Sequence, residues 1–119
     1  MKDVVKAMKA LSDETRLRIL NVLLERECCV CEVMQALDIS QTRASRNLGI
    51  LHDAGFLRMR KEGLWALYSI DQDGMKEYYS SLVAAVTKSL ENDEVAALDQ
   101  KRLKTAERVG PGCVNRCAR

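Results

Sequence analysis

The chain has 119 residues, a formal net charge of +2 and 47% hydrophobic residues, a length that fits one domain. No apolar run approaches the roughly 18–20 residues of a membrane span, and the start Met1-Lys2-Asp3-Val4 lacks the apolar core of a signal peptide, so a cytoplasmic protein without a membrane partner is expected. Five cysteines, odd in number, point away from a disulfide framework and toward metal binding or thiol sensing.

Val4, Val5, Met8 and Leu11 recur at helical spacing and predict a first helix. Ser12 is expected to cap a second helix, with Asp13 and Glu14 at its positive end. Leu17, Ile19, Leu20, Val22, Leu23 and Leu24 make that helix apolar on most of its surface, hence central. A break at 25–28 precedes a short helix over 31–37, with Val33, Met34 and Leu37 on its apolar face. After the polar turn Asp38-Ile39-Ser40, a fourth helix over about 41–54 turns Ala44, Leu48 and Leu51 inward and ends at Gly55 as C-cap. Two helices so joined, the second bearing Arg43 and Arg46, form a helix-turn-helix pattern.

Two alternating runs, 56–60 and 64–70, flank Lys61-Glu62-Gly63 and predict a basic hairpin, a wing. Asp73-Gly74 opens a helix over about 75–90, with Tyr78, Tyr79, Leu82, Val83, Val86 and Leu90 on its apolar face. Asn92-Asp93-Glu94 can cap a last helix whose stripe is Val95, Leu98, Arg102, Ala106 and Val109, stopped by Gly110-Pro111-Gly112. The fold class is therefore mainly α with a small β-hairpin: a homodimeric winged helix-turn-helix with an extra C-terminal helix. The expected division is a DNA-binding and dimerisation domain over 1–90, the extra helix over 91–110, and a Cys-containing tail over 111–119.

Charge is distributed unevenly. From Ser40 to Lys61 there are five basic residues, Arg43, Arg46, Arg58, Arg60 and Lys61, against Asp53 alone, a local patch suited to phosphate. Ser40, Gln41, Thr42, Arg43, Ser45 and Arg46 occupy the turn and the N-terminal half of the recognition helix, which reaches base edges in the major groove. Arg58, Arg60 and Lys61 would meet backbone or minor groove. Val4, Val5 and Met8 on the first helix, with Tyr78, Tyr79, Leu82 and Val86, exceed what one small core can bury and are candidates for a dimer interface, although Tyr78 and Tyr79 could equally be core.

The densest chemistry is Cys28-Cys29-Val30-Cys31, directly ahead of the helix-turn-helix. Near a helix start the dipole favours a negative sulfur. At about 100° per residue, positions two apart on a helix point about 200° away from each other. Cys29 and Cys31 can therefore share an ion only if the first turn is open or is distorted by binding, and distortion would move the following helix against DNA. A third sulfur could be Cys28, Cys113 or Cys117. His52 is the lone histidine and reads as a surface or DNA-proximal residue. The 75–90 helix has no His–carboxylate pairs, so no zinc site is expected there.

The order of elements over residues 5–90 resembles the ArsR/SmtB winged-helix repressors. Four stretches carry the resemblance. Ala10-Leu11-Ser12-Asp13-Glu14-Thr15-Arg16-Leu17-Arg18-Ile19-Leu20 resembles the opening signature, and Glu27-Cys28-Cys29-Val30-Cys31-Glu32-Val33 resembles the E-L-C-V-C-D-L box of arsenic-responsive members. Ser45-Arg46-Asn47-Leu48 is similar to the S-R-H-L stretch of the recognition helix, with Asn47 in place of His, and 61–68 resembles the wing. The resemblance implies no enzyme. It implies a dimeric repressor on double-stranded operator DNA, released when As(III) or Sb(III) binds cysteine thiolates, with no organic cofactor. A Cd(II)- or Pb(II)-responsive repressor and a thiol-redox repressor remain alternatives. Arsenic-responsive members often carry a third Cys where this chain has Met34, so the third ligand must come from elsewhere.

Overall fold

The computed structural model describes residues 1–74 and 76–109. Cys113, Cys117 and the Gly110-Pro111-Gly112 stop lie outside the described residues. In chain order the elements are α1 (Lys2–Leu11), α2 (Glu14–Glu25), β1 (Cys28–Cys29), α3 (Val30–Leu37), α4 (Gln41–Asp53), β2 (Leu57–Glu62), β3 (Trp65–Ile70), α5 (Glu77–Ser89) and α6 (Glu94–Leu103).

The predicted helices are present, and their caps explain their limits. The α2 cap is Asp13, whose carboxylate accepts the Arg16 N–H, rather than Ser12. Ser12 closes α1 instead, its hydroxyl donating to the Met8 carbonyl. A carboxylate is the stronger acceptor at a positive helix end, which leaves the hydroxyl free to serve the preceding helix. α4 ends in a Schellman arrangement: Gly55 N–H donates to His52 O and Phe56 N–H to Leu51 O, with Gly55 at φ +97°. That left-handed residue turns the chain from the recognition helix into the wing.

Ile19, Leu20, Val22 and Leu23 of α2 are buried at the centre, against Ala44, Leu48 and Leu51 of α4 and Phe56. Full burial of each large side chain contributes about 1.5–3 kcal/mol, so α2 is the element around which the others are placed.

The sheet has three antiparallel strands in the order β1-β3-β2. The hairpin pairs Leu57 with Ile70 through Glu62 with Trp65, around Gly63 and Leu64. The third strand was not expected: Cys28 pairs with Tyr68 and Cys29 with Leu67. The predicted break at 25–28 thus ends in a strand that joins the wing sheet.

α6 departs from its predicted stripe. It ends at Leu103, and Ala96, Asp99 and Leu103 are buried while Val95 and Leu98 are exposed. The face was chosen by an ion pair. Asp99, fully buried, accepts two bonds of 2.8 Å from Nε and Nη2 of Arg18, and Arg18 also donates to the Leu37 carbonyl at 2.9 Å. A bidentate, desolvated pair outweighs the modest gain from covering one Val and one Leu. Beyond α6, residues 104–109 run back along α3. No helix among the described residues is long and apolar enough to cross a membrane.

Candidate functional site: a thiol pair between the helix-turn-helix and the wing

Cys28, Cys29 and Cys31 are all buried. Cys29 is the N-cap of α3, with extended backbone at φ −83° and ψ 172°, and Cys31 lies within the first turn. The helical angle that would hold their sulfurs apart therefore does not apply. Cys29 Sγ and Cys31 Sγ stand 3.1 Å apart, with α3 regular from Val30 onward. Cys28 precedes Cys29 on β1, and adjacent strand residues face opposite ways. Its Sγ points toward the Arg26 carbonyl, at 3.5 Å. Among the described residues no group of three His, Cys, Asp or Glu side chains could hold a metal ion.

Glu32 organises the surroundings. Its Oε1 accepts the Cys29 N–H at 2.9 Å and Arg108 Nε at 3.0 Å, and its Oε2 pairs with Arg26 Nη1. The Cys29 side chain in turn accepts the Glu32 backbone N–H, completing a capping box. Burial opposes ionisation of Glu32, but the bonds from Arg26, the Cys29 N–H and Arg108 together hold its carboxyl below the usual range.

The thiols respond differently from the sequence expectation. Burial, with the Glu32 charge second, pushes the Cys28 thiol up to about 12. Burial and the hydrogen bond with Cys31 push Cys29 up to about 12 as well. The helix end at Cys29 does favour a thiolate, but desolvation is the larger effect. Cys28 and Cys29 are thereby held as neutral thiols.

Residues 104–109 close one side of the site. Arg26 Nη2 donates to the carbonyls of Leu103 and Ala106, each at 3.1 Å. Gln35 donates to Glu107 O at 2.7 Å and accepts Glu107 N–H at 3.1 Å. Cys31 Sγ lies 3.6 Å from the same carbonyl. None of Arg26, Glu32, Gln35 or Arg108 was singled out in the sequence. The signal for Glu32 was its place three residues after Cys29, the spacing of a capping box with a thiol in the usual Ser or Thr position.

On the recognition helix, Ser40 caps α4 by accepting the Arg43 N–H at 3.2 Å. Thr42, Arg43, Ser45 and Arg46 are exposed and Gln41 is half-buried. Arg43 Nη2 also donates to Thr15 Oγ1 at 2.6 Å. Asn47 is buried, accepting from Arg16 Nη1 at 2.9 Å and donating to Arg43 O at 2.9 Å. This amide ties α4 to α2, so the departure from His is a packing feature. On the wing, Lys61 and Arg58 are exposed, Arg58 Nε lying 3.4 Å from Ser69 Oγ. Arg60 is held by Glu27, with three N···O distances of 2.7–3.1 Å, and by Glu62 at 3.0 Å. His52 is exposed, edge-on to Tyr68.

The apolar residues considered for dimerisation divide. Val5 and Met8 are 44% and 48% exposed and Tyr78 37%. Val4, Leu82 and Val86 are half-buried. Tyr79 belongs to the protomer core, its ring stacked on Phe56 at 4.6 Å.

The family model described as bacterial regulatory protein, arsR family, matches residues 13–58, from the cap of α2 to the start of the wing. Over 96 residues the chain is 35% identical to an arsenic resistance transcriptional regulator of Pseudomonas putida, covering 80% of this chain and 73% of that one. The chain belongs to the ArsR family. It is thus one of a family of regulatory proteins rather than enzymes. It is 45% identical over 76 residues to a cadmium resistance transcriptional regulatory protein homologue of Staphylococcus aureus, covering 63% of each chain. The chain therefore spans less than two-thirds of that relative's length. Its fold matches a homodimeric winged helix-turn-helix DNA-binding domain from Mycobacterium bovis at a TM-score of 0.64, with 30% identity, over 78% of this chain and 82% of that one.

Proposed function

We propose that this ArsR-family protein is a dimeric transcriptional repressor that holds operator DNA until As(III) or Sb(III) bonds to Cys29 and Cys31. The observation that carries the reading is the 3.1 Å approach of these two sulfurs at the junction of two DNA-facing elements. Cys31 opens the helix before the recognition helix, and Cys29 is paired with Leu67 in the wing sheet. Residue 27, next to this strand, carries the carboxylate that holds Arg60 on the wing. An ion that draws Cys29 toward a third sulfur moves β1, and with it the wing. Release is a coupling free energy of about 1–3 kcal/mol, or 5–150-fold in affinity. The third sulfur is assigned to the tail: Cys113 or Cys117 follows a segment that already lies against Cys31 at Glu107, whereas Cys28 faces away. Val5, Met8 and Tyr78, with Val4, Leu82 and Val86 beside them, form the dimer face.

The chemistry of the buried pair favours arsenite over a divalent cation. Arsenous acid is neutral and exchanges hydroxyl for sulfur. Each As–S bond formed at a neutral thiol releases one water and no proton, so no charge enters the buried site. Each Cd–S bond releases a proton, and a divalent thiolate complex of three sulfurs is an anion. Burial opposes both of these changes. From pH 6 to 8, arsenite affinity of the intact chain is therefore expected to stay flat, while Cd(II) affinity rises about tenfold per pH unit for each proton that binding releases. Titration of each ion in parallel, followed by sulfur charge-transfer absorbance, checks both slopes. Tight Cd(II) binding with a flat slope would support instead the Cd(II)/Pb(II) reading, which the Staphylococcus aureus relative favours. A thiol-redox switch has less support, because a buried neutral thiol is a poor nucleophile.

For DNA, Arg46→Ala is expected to weaken operator binding about 5–150-fold, the value of one base contact. Lys61→Ala should weaken all sequences about equally and lower the salt slope by about one. Binding isotherms on operator and scrambled duplexes at several salt concentrations separate the two.

A further inference from the structure

The Cys29–Cys31 approach depends on a residue that touches neither sulfur with its own side chain. Cys29 is the N-cap of α3, so its backbone N–H has no acceptor in the helix backbone. Glu32 supplies one. The carboxylate accepts the Cys29 N–H at 2.9 Å, and the thiol closes the box on the Glu32 N–H. Glu32 is in turn immobilised from two directions, by Arg26 of the segment before β1 and by Arg108 of the segment after α6. A carboxylate this close to two sulfurs repels the negative charge that would develop on them, so its place there is not explained by promoting thiolate. It is explained by geometry.

We infer that Glu32 is a positioning residue for the inducer site: by holding the Cys29 backbone extended, it sets the two sulfurs side by side before the metalloid arrives and so raises metalloid affinity without contacting it. The inference rests on the reading of Cys29 and Cys31 as inducer ligands. It adds to that reading the source of their preorganisation. A bidentate thiol site whose second ligand must be ordered during binding loses the cost of fixing one residue, about tenfold in affinity.

The test is arsenite titration of the full chain, read by the sulfur-to-arsenic charge-transfer band. Glu32→Ala is expected to reach the same band at saturation but with its midpoint shifted about tenfold upward. Glu32→Gln retains an amide oxygen for the Cys29 N–H, while Arg26 keeps the Leu103 and Ala106 carbonyls. It is expected to restore the midpoint to within about threefold. A purely structural role would lower the melting temperature of both variants without moving either midpoint. Where Glu32→Ala does not fold, Glu32→Met fills the same volume without an acceptor and takes its place. An unchanged midpoint in the acceptor-free variant, or an equal loss in Glu32→Gln, overturns the inference. Cys29→Ser and Cys31→Ser are measured alongside. If these bind arsenite with an unaltered midpoint, the thiol reading itself falls. If they lose the band while the acceptor-free variant stays at the normal midpoint, the role of Glu32 alone is wrong.

Discussion

Serine at Cys29 or at Cys31 is expected to leave operator affinity within about twofold of the parent protein and to abolish release by arsenite, so that a coupling of the usual 5–150-fold falls to none. Cys29→Ser is the cleaner of the two. The residue is the N-cap of α3, and serine is a favoured cap residue. The capping box, the strand pairing with Leu67 and the placement of the recognition helix should all survive, and only the soft ligand is lost. Cys31→Ser puts a hydroxyl at a fully buried position. It needs an acceptor, and the Glu107 carbonyl beside Cys31 Sγ is at hand, so a loss of about 1 kcal/mol in stability is expected with folding retained. Operator fluorescence anisotropy with and without arsenite measures both quantities in one experiment. A serine variant that is still released with the parent's dose response would show that the inducer binds elsewhere.

Asp99→Ala is expected to cost about 3–5 kcal/mol of stability, because it leaves Arg18 beside an empty, desolvated position. Asp99 is fully buried, and Arg18 joins it to the Leu37 carbonyl at the C-terminal end of α3. The pair thus clamps α6 to the helix-turn-helix and sets the path of residues 104–109 past the thiols. Urea unfolding should show the midpoint falling with little change in slope. Asp99→Asn, which can still accept one bond from Arg18, should lose less. An Asp99→Ala variant as stable as the parent would mean that apolar contacts of Ala96 and Leu103 suffice to seat α6.

Much of the molecule was legible in residue order. The periodicities of α1, α2, α4 and α5, the turn at residues 38–40, the Gly55 stop and the Gly63 hairpin each depend on residues a few positions apart. The exposed arginines of α4 follow from the same pattern, because a helix with one apolar face presents the other. Asp13 rather than Ser12 as the α2 cap is a choice between neighbours that local chemistry leaves nearly balanced.

Residue order alone sets out the winged helix-turn-helix, a basic face suited to DNA, and two cysteines poised at the start of a helix. How those cysteines stand depends on contacts made across the assembled fold. β1 is two residues long, too short to show alternation, and its partners Leu67 and Tyr68 lie about forty positions away. The buried face of α6 differs from its apolar stripe because Asp99 is polar by composition and buried by its pairing with Arg18, 81 residues distant. The sulfurs converge because Cys29 stays outside α3, held by Glu32, which is anchored by Arg26 six residues before it and by Arg108, 76 residues after it. The neutrality of Cys29 is likewise a property of burial, which outweighs the helix end that alone would have favoured thiolate. Long-range pairing and desolvation arise from the assembled core, and no local pattern in the chain encodes them.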